Sequence, residues 1–389
     1  MKHLYVNKER ANKIVLLRRP LNGRYEGGAF FIIEESPNIL ENSVYLAELH
    51  TLEHIEEHIS PHQLKQFATL PNCQLCFREE FTTSIEPTIG GIKKLILQYG
   101  IEAKNIWITV SFTHEKYKLD QILSNTSIFG VNIQVHNFYL NVVYEQYLSN
   151  INYFEQLKTP IEQKRFSVFS RRYDNARFYF FSKLVTENLI NDCCYTFTNF
   201  IPELRPYPDP WVTKHELQED EIVKEYTDKK LILLRQWIDG LPYCLDTTDL
   251  RNSFPLTIYD LYAKGKINIV IETRYKKNRI MVTEKTYKAI VSKKPFLMIA
   301  PVGSMQLLKE EGFKSFSDLF DERYDEVDDH KTKVKMIVSE MKKLHSLSNT
   351  EFNRKIHELD SLVKFNFRKF IALGKLTSNC TILQNLDLI

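Results

Sequence analysis

Ile267-Asn268-Ile269-Val270-Ile271-Glu272-Thr273-Arg274, a polar loop, Thr283-Glu284-Lys285-Thr286-Tyr287-Lys288-Ala289-Ile290 and Pro295-Phe296-Leu297-Met298-Ile299-Ala300 make up the stretch that decides the fold. A β-branched run is followed by a loop, a segment of helical character and a second apolar run. Strand, loop, helix and strand in that order form the βαβ unit of a parallel sheet. The polar residues fall at the carboxyl end of one strand and on the first turn of the next helix, where such sheets hold ligands. Thr283 is placed as an N-cap, leaving backbone N–H groups to face an anion. Glu284 can accept hydrogen bonds from sugar hydroxyls, and Lys285 and Arg274 can neutralise phosphate. Together these are the parts needed to hold a nucleotide-diphosphate sugar.

The motif continues through Gly303-Ser304, Leu307, Gly312-Phe313-Lys314, Phe316, Asp321-Glu322 and Tyr324-Asp325. With this continuation, residues 165–330 resemble the carboxyl-terminal half of phage and bacterial glycosyltransferase-like proteins. Those are distantly similar to the fucosyltransferase and exostosin groups, which have the two-domain GT-B fold. The resemblance implies that Glu284 contacts the ribose of a nucleotide and that Lys285 lies near its phosphate. Where fucosyltransferases have Glu-Asn-Ser before the loop, this chain has Glu272-Thr273-Arg274.

The chain of 389 residues is long for a single core, so two domains are expected. Hydrophobic residues make up 43% and charged residues 26%, the balance of a soluble globular protein. Only 12 glycines are present, which argues against a glycine-rich phosphate loop. A net charge of +3 argues against a protein held on nucleic acid by global charge and leaves room for a local basic groove. No apolar run approaches the ~20 residues of a membrane span. The amino terminus lacks a secretory apolar region, and six cysteines are too few for a disulfide scaffold, so a cytoplasmic location with reduced thiols is expected.

Alternating elements over residues 1–150 suggest an acceptor-side α/β domain: strands at 13–18 and 29–33, a helix over 40–60, a helix at 91–99, a strand at 105–112, a helix at 120–124, a strand at 131–136 and a helix at 139–148. Its opening strands are open to an antiparallel arrangement. Residues 151–164 lack periodicity, contain Pro160 and are read as a linker. Residues 165–389 form the second, nucleotide-sugar-binding α/β domain with carboxyl-terminal helices. It opens with a strand at 165–170, an arginine-bearing loop with Arg171, and a helix with Arg177. Such a strand-to-helix turn can grip a diphosphate, as the resembled group also implies; the alternative is a solvated turn pairing with Asp174. Residues 202–230 read as a surface excursion, and helices dominate from Asp328. In GT-B enzymes the last helices often cross back to the first domain, so the carboxyl terminus is expected to pack there.

The fold expected is therefore α/β and GT-B-like, two Rossmann-like domains facing a cleft. The donor-binding residues are Arg171, Arg177, Glu272, Arg274, Thr283, Glu284 and Lys285. An acceptor proton needs a base, and Glu26, in the glycine-bearing loop after the first strand with Arg18, Arg19 and Arg24, is the candidate, with Glu34 and Glu35 behind it. The acceptor is a modified DNA base or a glycan. Lys276, Lys277 and Arg279 are available to an acidic acceptor. No cofactor and no obligatory metal are expected. A competing pattern is His50, His54, His58 and His62 at every fourth position, followed by Cys73 and Cys76, of which His54, His58, Cys73 and Cys76 are a chemically reasonable zinc set. The reading preferred is a charged helix face with two small thiols. The other alternative is a non-catalytic nucleotide-sugar-binding protein of the same fold. The run Phe178-Tyr179-Phe180-Phe181 is expected in the core.

Overall fold

A computed structural model describes residues 13–16, 43–49, 56, 60–69, 74–79, 86–110, 113–135, 137–156, 163–170, 175–197, 225–241, 258–272, 280 and 282–377. The chain divides into two compact units, 1–145 with 371–389, and 146–370. Each contains its own parallel sheet flanked by helices, the α/β class expected.

In the first unit, β1 (Lys13–Leu16), β2 (Ser43–Leu49), β3 (Gln74–Glu79), β4 (Ile106–Val110) and β5 (Asn132–Val135) lie side by side in chain order. All four pairings are parallel, including those of the opening strands. β2 corrects the helix expected over 40–60. It runs between β1 and β3, and pairing on both edges overrides the helix-forming Leu, Ala and Glu of its sequence. The strand expected at 29–33 lies outside the described residues. Helices α1 (Pro61–Thr69), α2 (Glu86–Leu97), α3 (Thr113–Asn125) and α4 (Phe138–Ser149) alternate with these strands. Leu64, Phe67, Ile92 and Leu95 from the helices meet Ile106 and Ile108 of β4 in one core.

The second unit begins at Gln146, ahead of the linker expected at 151–164. Within that linker, α5 (Ile151–Gln156) is helical because its aromatic rings pack, Phe154 meeting Tyr259 with ring centres 4.6 Å apart. The sheet comprises β6 (Lys164–Ser170), β7 (Cys193–Phe197), β8 (Gly265–Ile271) and β9 (Phe296–Ile299), all parallel, in the order β7-β6-β8-β9. The chain leaves β6 towards β7, then returns to place β8 on the opposite side of β6. That reversal is a topological switch point, and it lies between β6 and β8. β8 is buried along almost its whole length, as expected of a parallel strand covered on both faces.

Around this sheet stand α6 (Asn175–Thr186), α7 (Asp228–Asp239), α8 (Ile258–Lys264), α9 (Glu284–Val291), α10 (Ser304–Glu310), α11 (His330–His345), α12 (Asn349–Glu358) and α13 (Asp360–Thr377). The aromatic run of α6 is core, as expected: Phe178 to Phe181 are all buried, and Phe181 stacks on Trp237 of α7. Most of the excursion expected at 202–230 lies outside the described residues. Among the described residues, no helix is long and apolar enough to cross a membrane.

Candidate functional site at the carboxyl edge of the second sheet

β6 and β8 end side by side at Ser170 and Ile271, so whatever follows them borders the switch point. Glu272 follows β8 directly, and its amide donates to Ile299 O of β9 (2.9 Å), continuing the ladder one residue past the strand. Its side chain turns inward and is fully buried. Oε1 accepts from Thr283 N (2.9 Å) and Thr286 Oγ1 (2.6 Å), and Oε2 accepts from Thr283 Oγ1 (2.5 Å). Burial pushes this carboxyl upward, opposed by the nearby Lys285 charge and the threonine hydrogen bonds. A buried carboxylate needs such donors. Glu272 thus ties the end of β8 to the start of α9.

Thr283 is the N-cap of α9, as expected, with extended backbone and Oγ1 accepting from Lys285 N at 3.4 Å. Its own N–H is not turned to an outside anion, because the inward Glu272 carboxylate takes it. Glu284 and Lys285 open the helix. Glu284 is nearly buried, and Lys285 Nζ donates to its Oε1 (2.9 Å) and to Thr283 Oγ1 (3.2 Å). Burial alone would favour the neutral acid, but the charges of Lys285 and Lys288 outweigh it and hold Glu284 down at about 2. Every residue of α9 except Lys285 is buried. The helix is therefore wedged, and its first turn presents one partly exposed cation paired with one fixed carboxylate.

Arg177, on the first turn of α6 just past β6, is buried. It belongs to the same carboxyl edge by topology. Arg171 and Arg274 lie outside the described residues, as do Glu26, Glu34, Glu35, Arg18, Arg19, Arg24, Lys276, Lys277 and Arg279. Of the histidine and cysteine pattern, His54, His58 and Cys73 also lie outside them; His62 is an exposed residue of α1 and Cys76 belongs to β3. Among the described residues, no group of three or more His, Cys, Asp or Glu is placed to hold a metal ion.

The turn after β9 completes the edge. Gly303 adopts φ +81°, a conformation that disfavours a side chain, and its N–H donates to Asp325 O (3.0 Å). The Asp325 carboxylate accepts from Met305 N (3.1 Å) and Gln306 N (3.2 Å), so the start of α10 is already filled by an acid of the chain itself. Buried Lys333 of α11 donates to Ala300 O (2.5 Å) at the end of β9. Asp325 and Lys333 fix this turn from inside.

Sequence reasoning passed over three members of the site. Thr286 shares the Glu272 carboxylate, Lys288 adds its charge to Glu284, and Lys333 holds the β9 turn. Only Lys288 carried a signal, its i, i+4 spacing from Glu284 on a helix otherwise rich in apolar residues. The partners of the other two are set by chain crossings that spacing cannot reveal.

No family model and no curated protein matches this chain. Among solved structures, it is similar to a UDP-forming α,α-trehalose-phosphate synthase from Burkholderia xenovorans at 10% identity, with a TM-score of 0.45 over 90% of this chain and 74% of that one. A second such synthase, from Burkholderia vietnamiensis, matches at 10% identity with a TM-score of 0.42 over 89% of this chain and 73% of that one. The amino-terminal domain of a Candida albicans trehalose-6-phosphate phosphatase matches at 12% identity with a TM-score of 0.40, covering 90% of this chain and 70% of that one.

Proposed function

We propose that the carboxyl edge of the second sheet binds a nucleotide-sugar donor and that the chain is a glycosyltransferase of GT-B-like plan. The observation that carries this reading is the Glu284–Lys285 pair on the first turn of α9, beside the β6/β8 switch point. A carboxylate held ionised at a sheet edge suits the vicinal hydroxyls of a sugar, which donate to it. The partly exposed Lys285 ammonium, 2.9 Å from that carboxylate, suits the diphosphate, where charge grows as the leaving group departs. Arg177, with Arg171 and Arg274, adds cationic charge to the same edge in this reading. Glu272 and Thr283 act by orienting the helix.

Glu26 is assigned to take the acceptor's proton. The transfer needs no metal in this reading, because the cations at the sheet edge offset the diphosphate charge. The acceptor is a DNA base or a glycan, which differ in electrostatics. Duplex DNA carries one negative charge per ~1.7 Å, so binding to it falls steeply with salt. Gel shifts at low and moderate salt separate the two, absence of binding even at low salt leaving the glycan.

A thermal-shift screen with nucleoside diphosphates and nucleotide sugars tests the donor site. A ligand at one hundred times its dissociation constant stabilises its fold by about 2.7 kcal/mol. Stabilisation by one nucleotide class, followed by turnover of its sugar conjugate, supports the transferase. Binding without turnover across acceptors supports the non-catalytic alternative, and no stabilisation by any of them removes both.

A further inference from the structure

At the amino ends of the second sheet's strands, opposite the edge that carries Glu284, three cations fall in one row. The ladder pairs Lys164 with Gly265 and Phe166 with Ile267, which puts Arg165 of β6 beside Lys266 of β8. Further along, Asn268 pairs with Phe296, and its N–H donates to Pro295 O (2.9 Å). Two positions before that pair, Lys266 and Lys294 therefore stand side by side. Neighbouring strands lie about 4.8 Å apart. Like charges set opposite one another at such spacing repel unless each is balanced.

The three are not balanced alike. The Arg165 guanidinium is spent. It donates to Leu344 O, His345 O (3.1 Å), Leu347 O (2.8 Å) and Asn349 Oδ1 (2.9 Å), and Asp192 lies 3.8 Å from its Nε. Lys266 Nζ donates to a neutral acceptor, Asn353 Oδ1 of α12 (2.5 Å). Lys294 is half-buried and, among the described residues, has neither a hydrogen bond nor an ion pair. The acid that acts on it is Asp360 at the start of α13, which is already paired with His357 Nδ1 at 2.8 Å. Burial, and then the charge of Lys266, push the Lys294 ammonium below its ordinary value. On the α6 side of the same unit the pattern is the reverse. There Lys183 and Lys331 share Glu225, and Lys230 and Lys342 share Glu187.

A partly desolvated cation without a counter-charge is costly to keep. Here two neighbours retain donors, two N–H bonds on Lys266 and three on Lys294, given three per ammonium. A phosphate group brings about two negative charges and several acceptor oxygens, enough for charge-assisted bonds to both. We propose that Lys266 and Lys294 form a second anion site, at the amino edge of the sheet, that takes the phosphate group of inorganic phosphate or of a phosphomonoester. Six residues of β8 at about 3.3 Å each set Lys266 about 20 Å from Glu272, too far for one phosphate to touch both edges. The site is therefore independent of the donor reading.

The full chain, labelled with carbon-13 lysine, is titrated with inorganic phosphate and with methyl phosphate, by calorimetry and by NMR. Saturable binding is expected, with the Lys266 and Lys294 signals moving together. Tighter binding of methyl phosphate identifies an ester as the ligand, and tighter binding of inorganic phosphate the free ion. Lys266→Met and Lys294→Met should each weaken binding at least about tenfold, and Lys294→Gln serves if the methionine variant does not fold. Lys285→Met, at the other edge, should bind phosphate as the wild type does. Without phosphate, the Lys294 variants should melt no lower than the wild type, since they remove a charge that the fold leaves unbalanced. No saturable binding of either anion overturns the site, as does wild-type affinity in the Lys294 variants or an equal loss in Lys285→Met. A lower melting temperature of both Lys294 variants without phosphate also overturns it, as the mark of a lysine with a structural partner. Binding of duplex DNA without binding of either small anion overturns it in favour of a polyanion surface.

Discussion

Two glutamates at the carboxyl edge of the second sheet have the same chemistry and opposite uses. Glu272 is enclosed and accepts from three donors of Thr283 and Thr286. Glu284, twelve residues on, is balanced by lysines and keeps an edge near solvent. The sequence makes Thr283, Glu284 and Lys285 legible because a cap followed by an acid and a base is a local pattern. It does not reveal which way Glu272 points, because a residue one step past a strand can continue the pleat to either face. Its partners lie eleven and fourteen residues away, across a loop whose path is set by the fold. The inward role carries a prediction. Glu272→Gln replaces one acceptor oxygen with an N–H₂ that must face donors, so it should destabilise the chain by about 1–3 kcal/mol in urea unfolding. Unchanged stability would mean that the carboxylate is not the latch described.

At the level of elements, the sheet of the second unit is set by close approach and by charge. Gly265 opens β8 where a Cβ would lie 2.6 Å from Ser167 N of β6, so the two strands meet at full depth only because no side chain intervenes. Gly265→Ala should force the strands apart and lower stability by about 1–3 kcal/mol, measured by thermal or chemical unfolding. Behind the sheet, Glu225 joins α6 to α11. It accepts from Tyr179 Oη (3.1 Å) and Lys183 Nζ (3.1 Å) and pairs with Lys331 Nζ (2.8 Å). Partial burial works against its charge, yet these partners hold its carboxyl at about 2, below the ordinary 4.5. A depressed carboxyl stabilises the fold fully above the unfolded value and loses that effect as pH falls from about 4.5 through about 2. Glu225→Gln should therefore flatten part of the acid loss of stability in that window, and an identical acid profile in the variant would contradict the assignment. Most elements after Glu86 were legible from periodicity. β2 was not, because Ser43–Leu49 holds helix formers whose fate depends on two neighbouring strands absent from any local window.

For the whole molecule, two parallel sheets follow from a chain that alternates strand and helix, but they are not equivalent. The first runs in chain order, whereas the second reverses between β6 and β8. Among the described strands, the second sheet alone has a switch point, which is why its edge is the place for a donor. The histidine and cysteine pattern at 50–76 stands apart from that edge in sequence and is read as carrying no metal. Purified protein should then contain well under one zinc per chain, with an EDTA-insensitive melting temperature. One zinc per chain, lost on unfolding, would promote His54, His58, Cys73 and Cys76 to ligands. Calorimetric titration of nucleoside diphosphates into the wild-type chain, Glu284→Ala and Lys285→Ala tests whether the first turn of α9 holds the donor. Saturable binding to the wild type is expected, with a loss of roughly 1.5–3 kcal/mol in each variant, as for a charge-assisted hydrogen bond. Affinity unchanged in both variants, or no binding to the wild type by any nucleoside diphosphate, would contradict it.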